Sequence, residues 1–203
     1  MLNCLAEHKR PEILIITPLL TGHRIARDCR ATVKRIKTPY TWISYTGDEN
    51  PCKNSQLALD EYRKDKEVPK FIIKIDNDLI AQRGMLDKMK NTLDRNPRAA
   101  YSYCDFEFKG AMNVKFPAIP FDPIRLRHTN YISSCSLMVT EKFMEVGQWV
   151  TSNEGFRLLD WALWLKFLKA GYYGVPCRNT SFVAASKESS VSSGSGEEYN
   201  KKR

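Results

Sequence analysis

A chain of 203 residues, 42% of them hydrophobic, can bury one sizeable core with room for a small appended piece. Its formal net charge of +9 favours anionic partners, and nucleotide, nucleic acid and membrane surface all stay open on charge alone. The apolar run Ile13 to Leu20 is too short for a membrane span, no secretion signal is visible, and the six cysteines form no C-x-x-C pair.

These features read as a cytoplasmic chain with free thiols, neither a disulfide scaffold nor a zinc protein, since His8, His23 and His128 are isolated. A strand over Glu12 to Leu20 leads into an amphipathic helix. There Arg24, Arg27, Arg30, Lys34 and Lys37 lie opposite Ile25, Cys29, Val33 and Ile36. The basic face lacks the interleaved aromatics of a nucleic-acid stripe, so no nucleic-acid partner is expected.

A second strand, Tyr40 to Tyr45, ends in the turn-rich Thr46 to Pro51, and a helix follows from Asn54 to Lys66. Next come a strand over Phe71 to Ile75, a helix from Gly84 to Asn96 stopped by Pro97, and a strand from Ala99 to Phe106. This alternation predicts an α/β fold, a mostly parallel sheet with helices on both faces. Ligands of such sheets bind beyond the carboxyl ends of the strands, where Thr17-Pro18, Asp48-Glu49 and Asp76-Asn77-Asp78 all fall.

Aspartate is disfavoured in strands, so two of them at the tip of an apolar run suggest that the pair holds something. Side chains i and i+2 of an extended segment share a side, so Asp76 and Asp78 can converge on one ion while Asn77 faces away. Mg²⁺ is typically held by one or two carboxylates plus substrate phosphates, which makes a divalent cation with a phosphorylated ligand the functional reading. The alternative is an Asx-type turn. No glycine-rich phosphate loop of either common type is present, leaving Lys74, Arg83 and Lys166 as candidates to neutralise phosphates.

From Phe156 to Gly171 the sequence is a helix apolar on nearly every face, ended by Lys169 and Gly171. Asp160 stands near its start among Leu159, Trp161 and Trp164. The helix N-terminus favours its charge while apolar surroundings raise its pKa, the mixture a general base or acid uses. A helix cap or a structural ion pair is the competing reading.

Taken together, the strand ending in Asp76-Asn77-Asp78, the segment Ser133 to Met138 leading into Val146-Gly147-Gln148-Trp149, and Leu159 to Trp164 resemble the GT-A glycosyltransferases of the family-2 type. The resemblance covers Glu12 to Gly174. Within that family the sequence is similar to the amino-terminal domain of the large chlorella-virus enzymes that build capsid glycans, in a host cytoplasm. It implies an inverting hexosyltransferase that moves a glucose- or rhamnose-type sugar from a UDP-sugar to a glycan or glycoprotein acceptor. Asp76 and Asp78 match the motif that binds Mn²⁺ or Mg²⁺ and, with Asn77 between them, the donor diphosphate. Thr17, Pro18 and Leu19, with Asp48 or Glu49, match the segments that hold the uridine. Asp160 matches the catalytic base, and Ser134, Trp161 and Trp164 are the acceptor candidates, although core packing suits at least one of the tryptophans.

The sequence departs from the family in places. Leu159 stands where many relatives carry Glu before the base, and the Q-x-x-R-W signature of processive members is absent, so processive synthesis is not expected. Asp105, Glu107, His128 or water would complete the metal site. Phe116 to Pro123, with Arg125, Arg127 and His128, has no family counterpart and is expected to line the acceptor pocket. Residues 1–183 read as the glycosyltransferase domain, and 184–203, rich in Ser, Gly, Glu and Lys, as a flexible tail or linker to a further domain. Two rivals keep the same charges in use: a sugar-phosphate nucleotidyltransferase and a basic nucleic-acid-binding module.

Overall fold

Two apolar runs, Ile13–Leu19 (β2) and Phe71–Lys74 (β4), lie side by side as parallel strands in which every residue is buried. The computed structural model describes residues 1–48, 50–110, 113–151 and 158–186. Complete burial is what a strand covered on both faces requires, and it explains why neither run alternates polar with apolar. On the far side of β2 the strand Tyr40–Thr46 (β3) pairs in parallel, and Leu2–Glu7 (β1) closes that edge in the opposite direction.

Beyond β4 come Leu137–Val139 (β8), Tyr101–Gly110 (β6), Gly174–Ser186 (β9) and Ile80–Ala81 (β5), and Val114–Phe116 (β7) folds back on β6 as a hairpin. The order is β1-β3-β2-β4-β8-β6-β9-β5, nine strands with β7. The strands β2, β3, β4, β6 and β9 point one way, so the strands read from sequence share a direction as expected. The antiparallel β8 is inserted between β4 and β6.

Helices Arg27–Val33 (α1) and Met85–Asp94 (α3) cover one face through Cys29, Val33, Met85 and Met89, against Ile13, Ile15, Ile73 and Ile75. Pro51–Tyr62 (α2), Pro123–His128 (α4), Thr140–Glu145 (α5) and Leu159–Lys169 (α6) cover the other through Leu59, Leu126, Phe143 and Phe167, against Leu14, Ile16 and Ile72. The two-residue period of β2 and β4 sorts their side chains between these layers.

Local chemistry sets the boundaries. Helix α2 starts at Pro51, earlier than the expected Asn54, because the Asn50 side chain accepts from the Cys52 and Lys53 N–H groups and Pro51 needs no donor at the first helical position. Helix α6 ends as read. Gly171 has φ +82°, Tyr172 N–H bonds Phe167 O at 2.9 Å and Gly171 N–H bonds Leu168 O at 3.0 Å, a Schellman motif. β9 runs three residues past the compositional boundary at 184, pairing Ala184, Ala185 and Ser186 with β6. Residues 187–203 of the expected tail, and Phe156 at the expected helix start, lie outside the described residues, as does Glu49.

Candidate active site

The parity of β4 decides what its tip can do. Ile72 belongs to the core layer under α2 and α6, so Lys74 and Asp76 follow on that side and Ile73 and Ile75 face α1 and α3. Lys74 is buried, with a side chain 8% exposed, and its Nζ lies 2.9 Å from Asp76 Oδ1. Burial works against the lysine's charge, but Asp76, then the Cys52 sulfur and Asp160, more than outweigh it, so the ammonium is held well above its ordinary value.

Asp76 keeps 42% of its side chain exposed, and its second carboxylate oxygen accepts a long bond from Ser134 Oγ at 3.5 Å. Asn77 turns the other way, as parity requires. Its side chain donates to Arg24 O at 2.9 Å and its carbonyl accepts from Ala26 N–H at 2.8 Å, which pins residues 24–26 to the acidic loop. Cys29 Sγ donates to the Asp76 carbonyl at 3.6 Å; burial pushes its thiol up to about 12, with Asp78 and Asp76 adding to the rise.

Oxygen-only donors at an exposed strand tip fit a hard divalent cation that leaves positions for water and phosphate. Among the described residues no group of three or more His, Cys, Asp or Glu is placed to hold a metal ion, so none of Asp105, Glu107 and His128 joins the pair. Asp105 accepts from Ala118 N–H at 2.7 Å, and Glu107 lies 3.7 Å from Lys109.

Asp160 arrives at this rim on the first turn of α6. It is half-buried, and its carboxyl is enclosed enough that burial raises its pKa. Lys74, the Trp161 N–H, Asn130 and its own N–H work against that rise. The Asn130 amide donates to Asp160 Oδ2 at 3.3 Å. Lys74 thus stands electrostatically between the acidic loop and Asp160, and the fold brings together the two carboxylate sites that the sequence separates widely.

The other residues expected at the site have places and partners of their own. Thr17 is fully buried and its hydroxyl accepts from Trp42 Nε1 at 3.0 Å, while Pro18 and Leu19 are buried too, so no side chain of this trio is free to face a base. Asp48 is engaged by Asn50 N–H at 2.9 Å and Lys53 Nζ at 2.6 Å. Trp164 is 1% exposed, stacks on Tyr101 at 4.7 Å and donates to Ile132 O at 3.1 Å, which makes it core. Trp161 is half-buried and ties α6 to α4 through Leu126 O at 2.7 Å. Lys166 donates to Gly147 O and Gln148 O, so it holds a turn instead of a phosphate, and Arg83 is exposed beside Arg35 on the α1 and α3 side. The expected acceptor segment is anchored by Tyr103 OH to Ile119 O at 2.8 Å and by the Tyr131 hydroxyl to Asp122.

Two residues that sequence reasoning missed organise the rim. Asn54, fully buried, donates to Leu19 O at 2.9 Å and Asp48 O at 2.7 Å and accepts from Asp48 N–H at 2.8 Å, joining the tips of β2 and β3. Asn130 is the other. The only sequence signal for either was an amide flanking a turn.

No protein-family model matches the chain, and no curated protein matches it. Solved structures do. The mannosyltransferase PcManGT from Pyrobaculum calidifontis, in complex with GDP-Man and Mn²⁺, superposes with a TM-score of 0.62 at 12% identity, covering 90% of this chain and 59% of that one. Residues 1–349 of S. aureus TarS in complex with UDP-GlcNAc give 0.65 at 11% identity, covering 91% of this chain and 61% of that one. The chain thus spans about three fifths of the length of these structures. It has the α/β, Rossmann-like fold of GT-A-type glycosyltransferases.

Proposed function

We propose that this chain is an inverting, metal-dependent glycosyltransferase that moves a glucose- or rhamnose-type sugar from a UDP-sugar to a glycan or glycoprotein acceptor. The observation that carries the reading is the meeting, on one rim of this fold, of the D-x-D carboxylates and Asp160, with the buried Lys74 charge between them. That the fold also serves proteins solved with GDP-Man and Mn²⁺ or with UDP-GlcNAc supports it. Work on a viral capsid glycan is the narrower form of the proposal.

Asp76 and Asp78 would hold Mn²⁺ or Mg²⁺, which when bound supplies a Lewis acid against the charge of the donor diphosphate. Lys74 adds a fixed positive charge next to Asp76, and the pinned 24–26 segment keeps Asn77 from swinging. Asp160, ionised, takes the proton of the acceptor hydroxyl as that oxygen bonds to the anomeric carbon and the bond from that carbon to the diphosphate oxygen breaks. UDP leaves and the proton stays on Asp160 until solvent removes it. No covalent intermediate is needed.

A thermal-shift screen of UDP, GDP, CDP and dTDP sugars, with and without Mn²⁺, tests the reading, because a ligand that binds the folded state alone raises its stability. A shift with a UDP-sugar that requires Mn²⁺ is expected. No shift with any of them contradicts it.

A further inference from the structure

Between α4 and β8 runs a segment, residues 129–136, without helix or strand, and it touches both halves of the site. Asn130 Nδ2 donates to Asp160 Oδ2 at 3.3 Å, and four residues later Ser134 Oγ donates to Asp76 Oδ2 at 3.5 Å. The stretch between them is itself tied down. Trp164 Nε1 donates to Ile132 O at 3.1 Å, Ser136 Oγ donates to Ser133 O at 2.9 Å, and Ile132, Cys135 and Ser136 are all buried.

The Asn130 amide has its orientation chosen for it. Its Oδ1 accepts from the Ile132 N–H at 3.3 Å, so the NH₂ group is the end left for the carboxylate. An aspartate there would set one anion against another, and a serine would not span both bonds.

We propose that Asn130 is a positioning residue for Asp160, holding that carboxylate at a set place relative to the acidic loop, with Ser134 fastening the other end of the same strut. The proposal rests on Asp160 being the base. It goes further in naming what orients it: a neutral amide on a segment shared with the donor side, so that a shift at either end is felt at the other.

The groups facing Asp160 come from several elements. Lys74 acts on it from β4 and the Cys52 thiol from α2; on α4, which packs against α6, the charged side chains are Arg125, Arg127 and His128, and Arg125 lies 5.6 Å from the centre of the Tyr131 ring. Against this fixed background, the Asn130 N–H favours the ionised carboxylate. Losing it raises the proton affinity of Asp160.

The test labels the protein with ¹³C-carboxyl aspartate and follows Asp160 by NMR through a pH titration in wild type, Asn130→Leu and Asn130→Ala, with Asp160→Asn assigning the resonance. The Asp160 midpoint moves to higher pH in both Asn130 variants. With UDP-glucose and Mn²⁺, kcat for UDP release falls about tenfold while donor KM is kept, as for the loss of a hydrogen bond to a charged group that does not touch the donor. A midpoint equal to wild type in folded Asn130 variants overturns the proposal. Full turnover by Asp160→Asn instead removes the base reading while leaving the titration result standing, so the two failures are distinguishable.

Discussion

Asp160 carries opposite demands, since burial favours its neutral form and Lys74 its charged form. The chemistry proposed for it needs the charge, so the rate of transfer is expected to fall on the acid side with a limb above the ordinary carboxylate range, measurable as kcat against pH. Asp160→Asn is expected to keep Mn²⁺-dependent donor binding and to lose at least about a hundredfold in transfer, the span a general base commands. Stability should move the other way. Because the folded pKa lies above the unfolded one, the native state holds a proton that the unfolded state has lost, and stability declines as pH rises through that window. Removing the ionisable group should therefore raise Tm at neutral pH and leave it nearly unchanged at pH values below the ordinary carboxylate range, a comparison calorimetry makes directly. As candidates, Asp76, Asp78 and Asp160 were legible because a carboxylate beside apolar sequence is costly enough to demand a reason. Thr17 was not, because its role depends on Trp42 in a neighbouring strand, and strand parity says which layer a side chain enters but not what awaits it there.

At the level of elements, the strand tips that flank the site are held by one buried side chain. Asn54 makes three hydrogen bonds to Leu19 and Asp48, and Asn54→Ala leaves their backbone groups unsatisfied. Urea unfolding is expected to show a loss of about 2–3 kcal/mol with an unchanged m-value, accompanied by weaker donor binding. For α6, the stacking of Trp164 on Tyr101 makes it a packing residue: Trp164→Ala should cost about 3–5 kcal/mol. Trp164→Phe should keep the acceptor KM, and an acceptor KM raised severalfold in a stable Trp164→Phe would restore it as a sugar platform. The strands Ile13–Leu19, Tyr40–Thr46 and Phe71–Lys74 and the end of α6 were readable because burial on both faces and a glycine at φ +82° leave local marks. β9 was not, because Pro176 and a left-handed Asn179 interrupt it and its order comes from pairing with the distant β6. Pro176 is tolerated there because β5 reaches only Phe182 and Val183, leaving β9 an edge strand at that point.

Over the whole molecule, one sheet with a helical layer on each face gives the proposed reaction a single rim for two jobs. In the proposed mechanism Asp76 and Asp78, at the tip of β4, would hold the leaving-group side and Asp160, on α6, would serve the nucleophile side, with Lys74 in the charge balance of both. Asp78→Ala should abolish the Mn²⁺-dependent thermal shift given by a UDP-sugar while the unliganded protein still folds, because half-buried Asp78 lies in the loop past the end of β4 and outside the hydrophobic core. The direction of four strands and the two-sided cover followed from the β-α alternation. The inserted β8 did not, since three residues pairing at sequence distance carry no periodic mark. The division of labour is tested most directly by measuring UDP-sugar binding by calorimetry and UDP release by turnover, side by side in wild type, Asp78→Ala and Asp160→Asn with Mn²⁺. Donor binding lost in Asp78→Ala, and kept without turnover in Asp160→Asn, is the expected result; an Asp160→Asn enzyme as fast as wild type, or a wild type that binds no nucleotide sugar, would contradict it.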